Sequence, residues 1–151
     1  GAQMRNDAIV LDVEIPPQLP RVTCFEQEVQ QVVLNLLNNS RYALNRKYSS
    51  GHAKKRIEIR AGTEVLGDQR LVRLSIRDLG IGIPATIIDK VMHPFFSTKP
   101  KGEGTGLGLS ISRDIIVKNA GLLSIESEEG EHTTVTIMLP AASPRSVGGH
   151  A

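Results

Sequence analysis

No tryptophan occurs among the 151 residues, and aromatic side chains make up only 3% of them. Binding single-stranded nucleic acid without sequence preference needs a platform of rings on which bases stack, so that class is excluded. A single cysteine, Cys24, rules out an internal disulfide and any metal site built on paired cysteines. A reducing, cytosolic setting fits that count. The strongest apolar run, Val32 to Leu37, is interrupted by Asn35 and falls far short of the ~20 residues of a membrane span. The N-terminus has no signal-peptide core. Charge is nearly balanced, with 18 Lys and Arg against 16 Asp and Glu, so electrostatics points neither to nucleic acid nor to a membrane surface.

What is present is a chain that is 40% hydrophobic and long enough to bury roughly two thirds of its unfolded surface as one domain. Ile9, Leu11, Val13 and Ile15 alternate with polar or opposite-face residues, the pattern of a half-buried strand ending at Pro16-Pro17. Thr23 and Glu26 form a capping-box signature, after which Phe25 to about Lys47 runs without Gly or Pro as a helix. At about 100° per residue, Val29, Val32, Val33, Leu36, Ser40, Ala43 and Leu44 make its core stripe. Glu28, Asn35, Asn39, Tyr42 and Arg46 make a polar row on the flank. Residues 57–60 and 70–78 read as strands joined through Gly67-Asp68. Asp78 continues the parity of Val72, Leu74 and Ile76, which aims its carboxylate at the buried side and demands a partner there. Pro84 opens a short helix through Met92, and residues 93–104 form a Gly/Pro/Lys-rich loop. A helix follows with Ile111, Ile115 and Ile116, stopped by Asn119 and Gly121. Two strands around the turn at Glu128 to Glu131 complete the domain.

Four constellations carry chemistry. Asn35 and Asn39, one helical turn apart, offer neutral oxygens that can meet one hard cation, although polar residues on a helix shoulder are usually only solvated. Asp78 with Gly80 and Gly82 sets an acceptor beside a backbone that can pass close to a planar ligand, and Asp-x-Gly is equally ordinary turn chemistry. Gly102, Gly104, Gly106 and Gly108 lead into a helix N-terminus, which offers roughly half a positive charge to a phosphate; a glycine hinge is the plainer alternative. Residues Pro94 to Lys99 put Phe95 and Phe96 beside Lys99, an apolar anchor with a cation. Dinucleotide and Walker motifs fit poorly, since the first needs a strand directly before the glycines and the second a Lys-Ser/Thr after them.

The order of these pieces resembles the ATP-binding catalytic domain of bacterial sensor histidine kinases, in the superfamily that includes gyrase, Hsp90 and MutL. Gln31 to Ser40 resembles the N box, Asp78 to Ile83 the G1 box, Pro94 to Lys99 the F box and Gly104 to Leu109 the G2 box. The Phe-Phe-Ser-Thr-Lys form is most similar to the nitrogen-regulation subgroup. The resemblance covers about residues 9–140. It implies an α+β fold, a two-layer sandwich of the Bergerat type, with a mixed, mostly antiparallel sheet and helices on one face. It implies ATP and Mg2+ as ligands. Asp78 would accept the adenine amino group and Asn39 would bind magnesium with Asn35 beside it. Gly80, Gly82, Ile83, Gly104, Thr105, Gly106, Leu107 and Gly108 would line adenine and phosphates. Arg41, Tyr42, Phe95, Thr98 and Lys99 are softer carry-overs, with Lys99 joining Asn35 and Asn39 as catalytic candidates.

Two departures matter. Ser40 stands where the family usually has Ala, and its hydroxyl needs a partner. Asn35 stands where ATP-hydrolysing relatives carry a glutamate base, and an amide cannot take a proton from water, so the γ-phosphoryl group is kept for another nucleophile. That nucleophile is a histidine in the family, yet His52, His93, His132 and His150 all fall in loops, turns or tail. The expectation is therefore a catalytic domain (residues 9–140) acting on dimerisation and phosphoacceptor helices upstream and, through them, on a response regulator. Residues 1–8 would be a leader from those helices and 141–151 a disordered tail. No nucleic-acid or membrane contact is expected of this cytoplasmic domain. A nucleotide-binding regulatory module and an anti-sigma-factor-type serine kinase are the competing functions on the same fold.

Overall fold

The computed structural model describes residues 8–92 and 108–143. Along them run β1 (Val10–Glu14), α1 (Glu26–Lys47), β2 (Arg56–Leu66), β3 (Gln69–Asp78), a 3-10 helix (Ile88–Met92), α2 (Leu109–Lys118), β4 (Leu122–Glu128) and β5 (His132–Pro140). The sheet has the order β1-β2-β3-β5-β4. Only β1 and β2 pair in parallel; the other neighbours are antiparallel. Residues of one parity on the sheet, Ile57, Ile76, Val135, Ile137 and Leu139, pack with Val32, Leu36 and Leu44 of α1 and Ile116 of α2 into the core. Both helices therefore cover one face, and the expected two-layer α+β sandwich is the observed architecture. Among the described residues no helix is long and apolar enough to cross a membrane.

The hairpin of β2 and β3 closes through Gly67-Asp68, where Gly67 takes the positive φ of 61° that a tight two-residue turn requires. Three local expectations are corrected. The strand β1 is not half-buried: Val10, Leu11, Val13 and Ile15 are exposed and only neighbouring Ile9 is enclosed, because β1 is the edge of the sheet. The Thr23-Glu26 capping box does not form. Phe25 is the N-cap of α1 and has no side-chain cap; its own N–H instead donates to Oδ1 of Asn119, at 2.6 Å, from the end of α2. The segment after Pro84 forms 3-10 structure at Ile88–Met92 in place of a short α-helix beginning at the proline.

At the end of α2 the left-handed residue is Ala120 (φ 64°), not a glycine. Ala120 N–H donates to the Val117 carbonyl and Gly121 N–H to that of Ile116, which is the paired bonding of a Schellman stop. Gly121 is needed for a different reason: a Cβ there would lie 2.3 Å from the Met138 carbonyl oxygen on β5.

Candidate functional site

The site begins on the flank of α1. Asn35 does not sit on a solvated shoulder as the helical arithmetic suggests. It is 1% exposed, and its amide nitrogen donates to the hydroxyl of Ser112 on α2 at 3.0 Å. The reason is that α2 packs along this flank. Seven residues before Asn35, Glu28 accepts from Lys118 (2.8 Å) and from Asn119 (3.3 Å). Seven residues before Asn119 lies Ser112. Equal steps in opposite directions make the two helices antiparallel, and one further turn on each brings Gly108 level with Asn39. Gly108 is the N-cap of α2, in extended conformation, so the amide-rich end of that helix comes alongside the half-buried Asn39.

Arg41 and Tyr42, also half-buried, continue the flank. Ser40 turns inward and is buried. Its hydroxyl faces the carboxyl of Asp78 closely enough to pull that carboxyl's pKa down, and Asp78 is the group this serine meets in the interior. Asp78 closes β3 on the core face, 3% exposed. Its Oδ1 accepts the Gly80 N–H at 3.0 Å. Burial pushes the Asp78 carboxyl up from 3.8 to about 7, against the opposing pull of the Gly80 N–H, the Ser40 hydroxyl and the Lys47 charge. A carboxyl held so far from water is a strong acceptor for any donor that reaches it.

The glycines after Asp78 serve packing. A Cβ on Gly80 would lie 2.7 Å from the Ala43 carbonyl carbon of α1, and one on Gly82, where φ is 68°, would lie 2.1 Å from the Glu128 carbonyl oxygen. Ile83 N–H donates to the Ser127 hydroxyl (2.8 Å), and Gly130 N–H donates to the Ile81 carbonyl (2.6 Å). Residues 80–83 are thus strapped between α1 and the turn joining β4 and β5, with Asp78 fixed at their root.

The structure brings Asn35, Asn39, Ser40, Asp78, Gly80 and Gly108 into one region between α1, α2 and the end of β3. Phe95, Phe96, Thr98, Lys99, Gly102, Gly104, Thr105, Gly106 and Leu107 lie outside the described residues. Three contributors are not singled out by sequence reasoning. Ser112 is a polar residue on the buried stripe of α2, between Leu109 and Ile116, and that interruption of an apolar stripe is its signal. Asn119 reads as a helix stop, yet its side chain also accepts the N–H of Phe25 at the start of α1. Ser127 has no distinguishing pattern near the end of β4.

Comparison with known proteins follows the same lines. The family model described as histidine kinase-, DNA gyrase B-, and HSP90-like ATPase matches residues 25–143. The two-component sensor PprA of Pseudomonas aeruginosa is 35% identical over 149 residues, which are 99% of this chain and 16% of PprA. The sensory histidine kinase/phosphatase NtrB of Vibrio alginolyticus is 34% identical over 137 residues, covering 88% of this chain and 37% of NtrB. Among solved structures, a nucleotide-free catalytic domain of histidine kinase ThkA superposes with a TM-score of 0.70 at 28% identity, covering 93% of this chain and 84% of that one. The mycobacterial sensor histidine kinase MprB gives 0.71 at 26% identity, covering 93% and 87%. The chain spans well under half the length of these two curated relatives.

Proposed function

This chain belongs to the histidine kinase-, DNA gyrase B-, and HSP90-like ATPase family, and from that premise we propose that its ATP-binding domain holds MgATP for transfer of the γ-phosphoryl group to a histidine on a separate phosphoacceptor domain. The observation that carries the reading is Asp78, a buried carboxyl beside Ser40 of the helix that also bears Asn39. An exocyclic amine is the donor such an acceptor selects, and Ser40 and the Gly80 N–H fix the carboxyl in orientation.

Magnesium bound with phosphates takes few protein oxygens and keeps much of its water. The half-buried amide of Asn39 meets that demand, with Gly108 and the preceding glycines supplying amides to the phosphates. When bound, MgATP supplies the phosphoryl group and the charge that the metal neutralises. Asn35 holds no removable lone-pair base for water. With its nitrogen committed to Ser112, it positions α1 against α2 and leaves hydrolysis without a proton acceptor. Arg41, Tyr42 and Lys99 are the further side chains assigned to phosphate or ribose. The response regulator is the downstream partner in this reading, and the domain works in the cytoplasm.

Calorimetric titration of ATP and ADP, with and without magnesium, tests the site. Magnesium-dependent binding that collapses in Asp78→Asn and loses its magnesium dependence in Asn39→Ala is expected. Unchanged affinity in Asp78→Asn would overturn the adenine assignment. Supplying a helical histidine domain then tests transfer: an acid-labile phosphoprotein supports it, an acid-stable product identifies a serine kinase, and no product with tight ATP binding identifies a regulatory module.

A further inference from the structure

Charge is not spread evenly along this chain. Residues 46–56 hold Arg46, Lys47, Lys54, Lys55 and Arg56 together with His52 and no acidic residue, although lysines and arginines barely outnumber carboxylates overall. This run is where α1 ends and the chain turns toward β2. There, Asn45, Tyr48, Ser49, Ser50, Gly51 and Lys55 line a cavity of about 480 Å3, within the size range of small-molecule sites. Among the described residues no carboxylate lines it.

Lys55 is the unusual member. It is only 2% exposed, yet its ammonium has no hydrogen bond or ion pair among the described residues. Burying a charge without a partner is costly. Neighbouring cations are engaged: Arg56 pairs with Asp12 and with Glu58, and Lys47 donates to the Gly130 carbonyl. The negative end of the α1 dipole does not explain Lys55 either, since Arg46 and Lys47 already stand in the last turn. Nor is the ammonium sealed in. Among the described residues only Arg56 Nε is a fully enclosed side-chain nitrogen without a hydrogen-bond partner, so Lys55 Nζ keeps some exposure, and Lys55 is one of the residues that line the cavity.

We infer that this cavity is an anion site, distinct from the nucleotide site, that takes a phosphate-bearing small molecule. Lys55 supplies the charge, while the Ser49 and Ser50 hydroxyls and the Asn45 amide supply neutral donors around it. The surrounding cations raise the local concentration of anions. Neither Asp78 nor Asn39 lines the cavity, so occupancy here does not require adenine recognition. Gly51 admits close approach, since even a Cβ there would meet only Ala8, at 3.6 Å.

The test uses the whole 151-residue chain, titrated with sodium phosphate and with sodium pyrophosphate at constant ionic strength against sodium chloride. Amide NMR shifts and the melting temperature are recorded. Saturable shifts are expected at Ser49 to Lys55, with a melting temperature raised by about 3 °C or more at tenfold excess over Kd. The same shifts are expected in Asp78→Asn. Lys55→Met abolishes them and melts higher than the wild type without anion, because an unpaired buried charge is gone. Ser50→Glu, at an exposed position, keeps the fold should Lys55→Met not fold, and its carboxylate competes for the ammonium and blocks the anion. Shifts equal to those of chloride, shifts confined to the start of α2, or shifts that survive both substitutions overturn the proposal.

Discussion

The two faces of the one sheet are built from opposite materials. Beneath the helices, Ile57, Ile76, Val135, Ile137 and Leu139 exclude water, and the one carboxyl among them, Asp78, is pushed up to about 7 by that burial. On the open face, the alternate residues Asp12, Arg56, Glu58, Arg60 and Arg77 form a mesh of ion pairs, and Arg73 pairs with Glu64. There the first effect on Asp12 is the hydrogen bond from Arg60, which holds its carboxyl below the usual range. The same side chain, aspartate, is thus moved in opposite directions a few strands apart. A carboxyl becomes a selective acceptor only where water is kept out, and an open ionic lattice serves solubility and strand register instead.

Substitutions on the two faces should separate accordingly. Leu36→Ala, which empties a fully buried position against the sheet, is expected to cost about 2–5 kcal/mol in chemical denaturation. Asp78→Asn is expected to stabilise the nucleotide-free domain. The folded carboxyl titrates near 7 against 3.8 when exposed, so its contribution is most favourable at low pH and is lost as pH rises toward 7. Removing the charge should therefore gain roughly 2–4 kcal/mol at pH 8, with the gain vanishing near pH 4. A destabilised variant at pH 8 would break the contrast.

Asn119→Ala removes a buried side chain that serves Phe25, Glu28 and Ile115 at once, at an expected cost of about 1–3 kcal/mol. Nucleotide affinity should weaken about tenfold per unit of pH below 7 if the ionised Asp78 is the acceptor; calorimetry in buffers of matched ionic strength reads this directly, and a flat profile would remove Asp78 from the site. The smallest effect belongs to the open face. Asp12→Asn should shift the melting temperature by no more than about 2 °C, and high salt should erase even that.

Much of this contrast is legible from periodicity. Strand parity alone aims Asp78 inward and puts Arg56, Glu58 and Arg60 outward, and the order of the Asn, Asp-x-Gly and glycine segments identifies the family. Edge position is not legible: nothing local in Val10 to Glu14 says that no helix covers it. Asn35 is misplaced for a related reason, since its burial depends on α2, which is 77 residues away in sequence at the Ser112 contact. The contact that fixes the start of α1 is hidden in the same way, because the acceptor for the Phe25 N–H lies 94 residues downstream. Local signals find elements, whereas contacts between elements decide which polar groups become interior.

The bond between Asn35 and Ser112 also ties the helix pair together part-way along α1. Gly108, whose carbonyl accepts from Ser112 N–H at 3.2 Å, closes the glycine-rich run and starts α2. The first turn of α2 is thus latched to the middle of α1 through Asn35, and its far end is latched, through Asn119, to the start of α1. Fixed at two points along their shared seam, the two helices are held as a single body.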